Sequence, residues 1–147
     1  MLGRKVIQYW AGIYASKTYI RDAFPSAGPK GRGLTWTGWG DVETMPEWVK
    51  TSPFPRADIK HTVREGIMQM YMVENGMGIT QLPCYAQHYC PELQLMPGTT
   101  LQPDRNIWLL LHGDLKDTVR VRLLVDFIAD ELKKLRPMFE GTSTRAT

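Results

Sequence analysis

The chain has 147 residues, 43% apolar and 22% charged, enough for one packed domain and unlike a disordered or fibrous chain. Its net charge of +3 comes from 18 Lys and Arg against 15 Asp and Glu, interleaved rather than gathered into a basic stripe, so direct nucleic-acid contact is not expected. Two cysteines make no disulfide framework, pointing to a reducing cytoplasm, and no run nears the ~20 apolar residues of a membrane span.

Lys5 to Tyr14 is apolar and aromatic and reads as a strand. The opening segment lacks an apolar stretch ending in a small-residue cleavage site, so no signal peptide is expected. Ser16 offers an N-cap for a short helix over Lys17 to Ala23, which Pro25 stops. Ser26 to Gly33 holds three Gly and one Pro and is expected to be a surface loop. Leu34 to Trp39 follows as a strand, with a turn at Gly40-Asp41. Thr44-Met-Pro-Glu47 has capping-box spacing and predicts a helix over Met45 to Lys50. Ser52-Pro53-Phe54-Pro55 predicts an extended segment. Asp58 to Val63 alternates, placing Ile59, His61 and Val63 on the half-buried side of a strand.

Glu65 to Asn75 is expected to be helical, with Ile67, Met70, Tyr71 and Glu74 on its buried face, Met68 and Met72 beside them and Asn75-Gly76 as its stop. Gly78 to Leu82 is a brief strand, and a loop-rich stretch with a short strand at Leu93 to Leu95 follows. Asn106 to Leu111, unbrokenly apolar from Ile107 on, reads as a strand buried on both faces. Asp117 is expected to cap a helix to about Arg136. Its stripe is Val121, Leu124, Val125, Ile128, Leu132 and Leu135, Lys133, Lys134 and Arg136 complement its dipole, and Pro137 ends it. Gly141 to Thr147 is small and polar, an expected disordered tail. Alternating strands and helices indicate an α/β fold with a mostly parallel sheet, in which ligands bind at the carboxyl ends of the strands.

The parts of an enzyme are missing. There is no phosphate loop, no Gly-x-Gly-x-x-Gly between strand and helix, and no Gly-x-Ser-x-Gly elbow. Gly76-Met-Gly78 follows a helix instead of opening one, so it is a helix stop and turn. Cys84 with His88 or His112 has nothing to orient it as a nucleophile and base. Cys84, His88 and Cys90 fall short of a zinc ligand set. No catalysis, metal or cofactor is expected.

The run Val63-Arg-Glu-Gly-Ile-Met-Gln-Met-Tyr-Met-Val-Glu-Asn-Gly-Met-Gly-Ile-Thr-Gln-Leu-Pro83 resembles the strand, helix and Gly-x-Gly-Ile-x-x-Leu-Pro stretch of the effector-binding domains of LysR-type transcriptional regulators. Gly12-Ile-Tyr-Ala-Ser-Lys-Thr-Tyr-Ile20 is similar to their Leu-Tyr-Ala-Ser-Pro-x-Tyr-Leu segment, with Lys17 in place of Pro. Leu101 to His112 and Arg120 to Phe127 resemble the family's return strand and final helix.

The resemblance implies a periplasmic-binding-protein-like (type 2) fold with a small-molecule effector held between two lobes. Residues 12–105 would form the second lobe, and 1–11 with 106–140 would be crossover strands and the final helix of an incomplete first lobe. The winged helix-turn-helix and most of the first lobe would be absent. DNA binding would then lie outside this chain, and the uncovered stripe and strand would pack in a homo-oligomer, a dimer by expectation. The family's effector contacts from this lobe correspond to Trp39, Gly40 and Asp41 and to Val63, Arg64 and Glu65. Backbone N–H groups at the helix start suit a carboxylate, and Arg64 adds a charge-assisted donor. Arg64 and Glu65 as simple helix caps, and Trp36 and Trp39 as core rather than pocket, stay open from the sequence. So does a stand-alone small-molecule-binding or protein-interaction module without a transcriptional role.

Overall fold

A 15-residue strand organises the molecule. The computed structural model describes residues 1–40 and 45–142. Strand β1 (Leu2–Ser16) is followed by α1 (Lys17–Ala23), β2 (Thr35–Trp39), α2 (Glu47–Lys50), β3 (Asp58–Val63) and α3 (Gly66–Glu74). Then come β4 (Thr80–Pro83), α4 (Ala86–Tyr89), β5 (Leu93–Leu95), β6 (Gln102–Leu111), α5 (Val119–Lys134) and α6 (Arg136–Phe139).

The sheet is not mostly parallel, contrary to the expectation from alternating elements. β1 pairs antiparallel with β5 at Tyr14↔Leu95 and with β6 from Leu2↔Leu111 to Ala11↔Gln102. β4 also pairs with β1 in this sheet, while β2 and β3 form a second, two-stranded sheet that is parallel and is extended by a parallel bridge between Trp36 and Ile79. The reason is the length of β1, which serves two returning strands as a shared partner.

The chain divides into two compact units. One comprises residues 1–11, 83–85 and 101–147; the other, residues 12–82 and 86–100. In the second unit the core gathers Ile13, Ala15, Leu34, Trp36, Val49, Phe54, Ala57, Ile79 and Met96. Trp36 is its anchor: its indole N–H donates to Phe54 O (3.1 Å) and its ring meets Trp48 edge-on at 5.2 Å. As expected, Ser16 caps α1, its hydroxyl accepting from Tyr19 N (3.1 Å). Ser52-Pro53-Phe54-Pro55 is a turn instead of an extended segment. The Ser52 hydroxyl donates to Val49 O (2.7 Å) and accepts from Phe54 N (3.1 Å), a local closure that competes with extension. Helix α2 starts at Glu47 behind Pro46 without a side-chain cap; Thr44 lies outside the described residues.

In the first unit α5 covers one face of the β1–β6 ribbon. Val6, Ile7, Ala129 and Phe139 form the buried centre, flanked by Tyr9, Tyr85, Ile107, Leu109 and Leu132. The other face is bare: Trp108 is 52% and Leu110 64% exposed, which corrects the reading of this strand as buried on both sides. α5 begins at Val119 after Thr118, two residues beyond Asp117, and Pro137 opens α6 rather than closing the structure. Gly141, placed in a disordered tail by the sequence, is buried; residues 143–147 lie outside the described residues.

Candidate functional site

β2 and β3 run parallel, so their carboxyl ends emerge side by side in the second unit, with Trp39 opposite Val63. Gly40 N donates to Val63 O at 2.8 Å and closes the end of the ladder. At Gly40 the chain turns with φ +69°, and no heavy atom lies within 4 Å of where a Cβ would stand. β3 alternates as its pattern demands, Ile59, His61 and Val63 half-buried and Asp58, Lys60 and Thr62 exposed.

From Val63 the chain passes through exposed Arg64 and Glu65 into α3. Glu65 occupies the N-cap position with extended backbone (φ −123°, ψ 126°), and its side chain makes no capping bond. The first N–H groups of α3 therefore lack a side-chain acceptor from the cap, and Gly66 has open space above its Cα. Five of the six candidate residues, Trp39, Gly40, Val63, Arg64 and Glu65, thus come together at one sheet end; Asp41 lies outside the described residues. The two tryptophans left open by the sequence separate cleanly. Trp36 is 1% exposed and belongs to the core, while Trp39 is 56% exposed at the candidate site.

The seating of α3 departs from expectation. Its buried residues are Gln69 and Val73, while Ile67, Met68 and Tyr71, assigned to the buried side from their spacing, are between 50 and 67% exposed. Gln69 decides the orientation. Its amide N–H donates to Thr37 O (3.0 Å) and to the Thr80 hydroxyl, and Thr80 Oγ1 itself donates to Thr37 O (2.8 Å). The Thr37 hydroxyl donates to Met77 O (2.9 Å). These bonds fasten α3 to β2 and β4 beneath the candidate site. The only sequence signal was one amide in a run of apolar residues.

Below it, α3 ends in a Schellman arrangement, Gly76 N donating to Val73 O and Met77 N to Met72 O. Elsewhere in this unit a concavity of about 400 Å³ is lined by Phe24, Pro25, Lys30, Leu34, Pro53 and Phe54 among others. Lys30 at its rim holds φ +58°, unusual for a residue with a side chain.

The cysteines are structural in character. Cys84 is buried, its thiol donating toward Phe139 O (3.1 Å) and Met138 O (3.3 Å), and burial pushes its pKa up. Burial, with the Glu74 carboxylate adding to it, raises Cys90 as well. A raised thiol is the opposite of an activated nucleophile. Among the described residues no group of three or more His, Cys, Asp or Glu is placed to hold a metal, and no helix is long and apolar enough to cross a membrane.

No family model matches the sequence, and no curated protein does. The fold, however, is that of solved LysR-type structures. The regulatory domain of CrgA, a LysR-type transcriptional regulator from Neisseria meningitidis, superposes with a TM-score of 0.67 at 17% identity, covering 89% of this chain and 68% of that domain. The AphB regulatory domain from Vibrio vulnificus superposes at 0.61 and 17% identity, over 88% of this chain and 70% of its own. Full-length AphB, the virulence activator of Vibrio cholerae, gives 0.60 at 16% identity, over 89% of this chain and 48% of its own. The chain thus spans about half of a full-length regulator and some two thirds of a regulatory domain.

Proposed function

We propose that this chain is an effector-sensing regulatory domain of LysR type. It binds a small carboxylate-bearing molecule at the sheet end where Trp39 and Gly40 meet Val63, Arg64 and Glu65, with Asp41, next in sequence after Gly40, as a further candidate contact. The observation that carries the reading is the parallel register Trp39↔Val63, which sets an exposed indole beside the start of α3. In this reading the uncapped N–H groups of α3 and the Arg64 guanidinium receive the carboxylate, and Trp39 supplies an apolar face for the rest of the ligand. The role is non-catalytic and cytoplasmic, and the domain works as a homo-oligomer.

Support comes from the fold likeness and from the chemistry of the site. The matched structures are transcriptional regulators, and the sheet end offers hydrogen-bond donors and a cation. The test is a thermal-shift screen of the chain against small aromatic and aliphatic carboxylates. A ligand at about 100 times its Kd adds roughly 2.7 kcal/mol of stability. Trp39→Ala and Arg64→Gln each remove that gain and leave the melting temperature of the free protein within ~1 °C, because both side chains sit at the surface. A screen in which no carboxylate stabilises the chain overturns the reading.

A further inference from the structure

The loop between α1 and β2 meets the turn before β3 and frames the concavity of about 400 Å³, at the lower end of the size range of small-molecule sites. Phe24, Pro25, Leu34, Pro53 and Phe54 line it, so its walls are apolar. Backbone bonds hold the frame. Ala27 N donates to Phe24 O (3.1 Å), Gly28 N to Arg32 O (2.8 Å), Leu34 N to Gly31 O (2.9 Å) and Arg56 N to Lys30 O (3.0 Å). At Gly31 (φ +81°) a Cβ would stand 2.7 Å from Phe54 Cβ, so only glycine lets the loop rest on that side chain. Phe54 is held in turn by the Trp36 indole, which donates to its carbonyl. A pocket framed in this way is formed before anything enters it, and little ordering is left to oppose binding.

Among the described residues that line the concavity, Lys30 alone is charged. It sits at φ +58°, ψ +30°, a left-handed conformation that costs a lysine free energy and that glycine adopts freely. The loop therefore carries a cation where its backbone favours glycine, and strain of this kind gathers at ligand clamps. The Lys30 ammonium has no carboxylate partner among the described residues, and neither have its neighbours Arg32 and Arg56. Asp22, at the end of α1, is already taken by Arg21 (2.8 Å).

We propose that this concavity is a second ligand site, one that takes a small amphipathic anion. A ring or branched chain lies between the Phe24, Pro53 and Phe54 walls, and a single carboxylate, sulfonate or phosphate group meets the Lys30 ammonium. Both halves of that description come from the site: apolar walls reject a wholly polar ion, and an uncompensated cation selects negative charge. A small molecule fits better than a peptide strand, because the loop bonds already use backbone groups that a strand would pair with. The site shares no residue with the sheet end of Trp39 and Arg64, and it does not depend on that end holding an effector.

The test is titration of the full chain with 2-naphthoate, read by amide chemical shifts and calorimetry, with 2-naphthylmethanol as the uncharged match. Saturable shifts are expected on Ala27 to Leu34 and on Phe54 to Arg56. The acid binds about tenfold tighter than the alcohol, the scale of one charge-assisted hydrogen bond at a rim. Lys30→Gly, which suits the backbone, weakens the acid about tenfold and leaves the alcohol unchanged, while Lys30→Arg keeps the preference for the acid. Ala27→Phe fills the cavity and abolishes binding of both; if that variant does not fold, Lys30→Gly carries the test by itself. The loop shifts persist in Trp39→Ala and Arg64→Gln, which separates them from any at the sheet end. The proposal is overturned by the absence of shifts in this loop, by an acid that binds no tighter than the alcohol, or by Lys30→Gly binding the acid as well as the parent does. Shifts in the loop on concentrating the unliganded chain would give the site to a second copy, and tighter capture of a short acidic peptide than of naphthoate would give it to a protein partner; either result overturns the assignment.

Discussion

The two glycines of Asn75-Gly76-Met77-Gly78 have the same sequence signature and different structural duties, and replacing each by alanine separates them. At Gly78 (φ +117°) a Cβ would stand 2.2 Å from Thr35 O and 3.0 Å from Thr35 C. Neither atom can swing away, because Thr35 O accepts from Ile79 N at 2.8 Å and lies on β2. The cost combines ~1–3 kcal/mol of backbone strain, ~1–3 kcal/mol of overpacking and ~1 kcal/mol for the weakened ladder bond, about 3–7 kcal/mol together. Gly76 (φ +81°) has only Ser16 Oγ at 3.8 Å, an ordinary contact, so Gly76→Ala meets the left-handed penalty alone, ~1–2 kcal/mol. Near this chain length 1 kcal/mol moves Tm by about 3 °C, so Gly78→Ala lowers Tm by ~9–21 °C and Gly76→Ala by ~3–6 °C. Thermal denaturation followed by circular dichroism, with urea midpoints as a second measure, reads both. Equal losses for the two variants would refute the close approach of Gly78 to β2 and with it the placement of α3 against the sheet.

Other outcomes follow from single residues. Gln69→Ala removes two hydrogen bonds and leaves a buried gap, costing about 2–3 kcal/mol in urea titrations, whereas Tyr71→Ala on the exposed side of the same helix costs under ~1 kcal/mol. Lys30→Gly relieves a left-handed lysine and stabilises by ~0.5 kcal/mol after the added flexibility of glycine in the unfolded chain, read as a small rise in Tm. Burial raises Cys84, Cys90 and Tyr9 in the folded state, so the unfolded chain ionises first as pH rises. Stability from the thiols is whole below their unfolded pKa of about 8.5, and from Tyr9 below about 10, and each is lost as pH rises from there through the raised folded value. Tm measured from pH 7 upward therefore falls on the alkaline side, and Cys84→Ala with Cys90→Ala makes that fall shallower.

Local signals in the sequence survive folding where one interaction decides the conformation. Ser16 caps α1 because its hydroxyl has a single good acceptor role, and β3 alternates because one of its faces is covered. Residues at the sheet end were legible for the same reason, Trp39 and Val63 each closing a recognisable strand. The buried face of α3 was not, since Ile67, Met68, Met70, Tyr71 and Met72 make the helix apolar almost all round and periodicity has no contrast to report. A hydrogen-bonding glutamine chose instead. β6 misled in the other direction: unbroken apolarity signals burial on both faces, and here it marks a face and an edge that the described structure leaves open. Sheet direction was illegible because it depends on β1 serving both β5 and β6, a relation between segments some 80 or more residues apart.

The central claim, that the ends of β2 and β3 hold a carboxylate ligand, is tested most directly by amide chemical-shift mapping. The chain is titrated with whichever carboxylate stabilises it in the thermal screen. The account predicts saturable shifts concentrated on Gly40 and on Arg64 to Gln69, with the indole N–H of Trp39 moving in step. Shifts confined to the concavity around Phe24, Lys30 and Phe54, with Gly40 and Arg64 still, would contradict it.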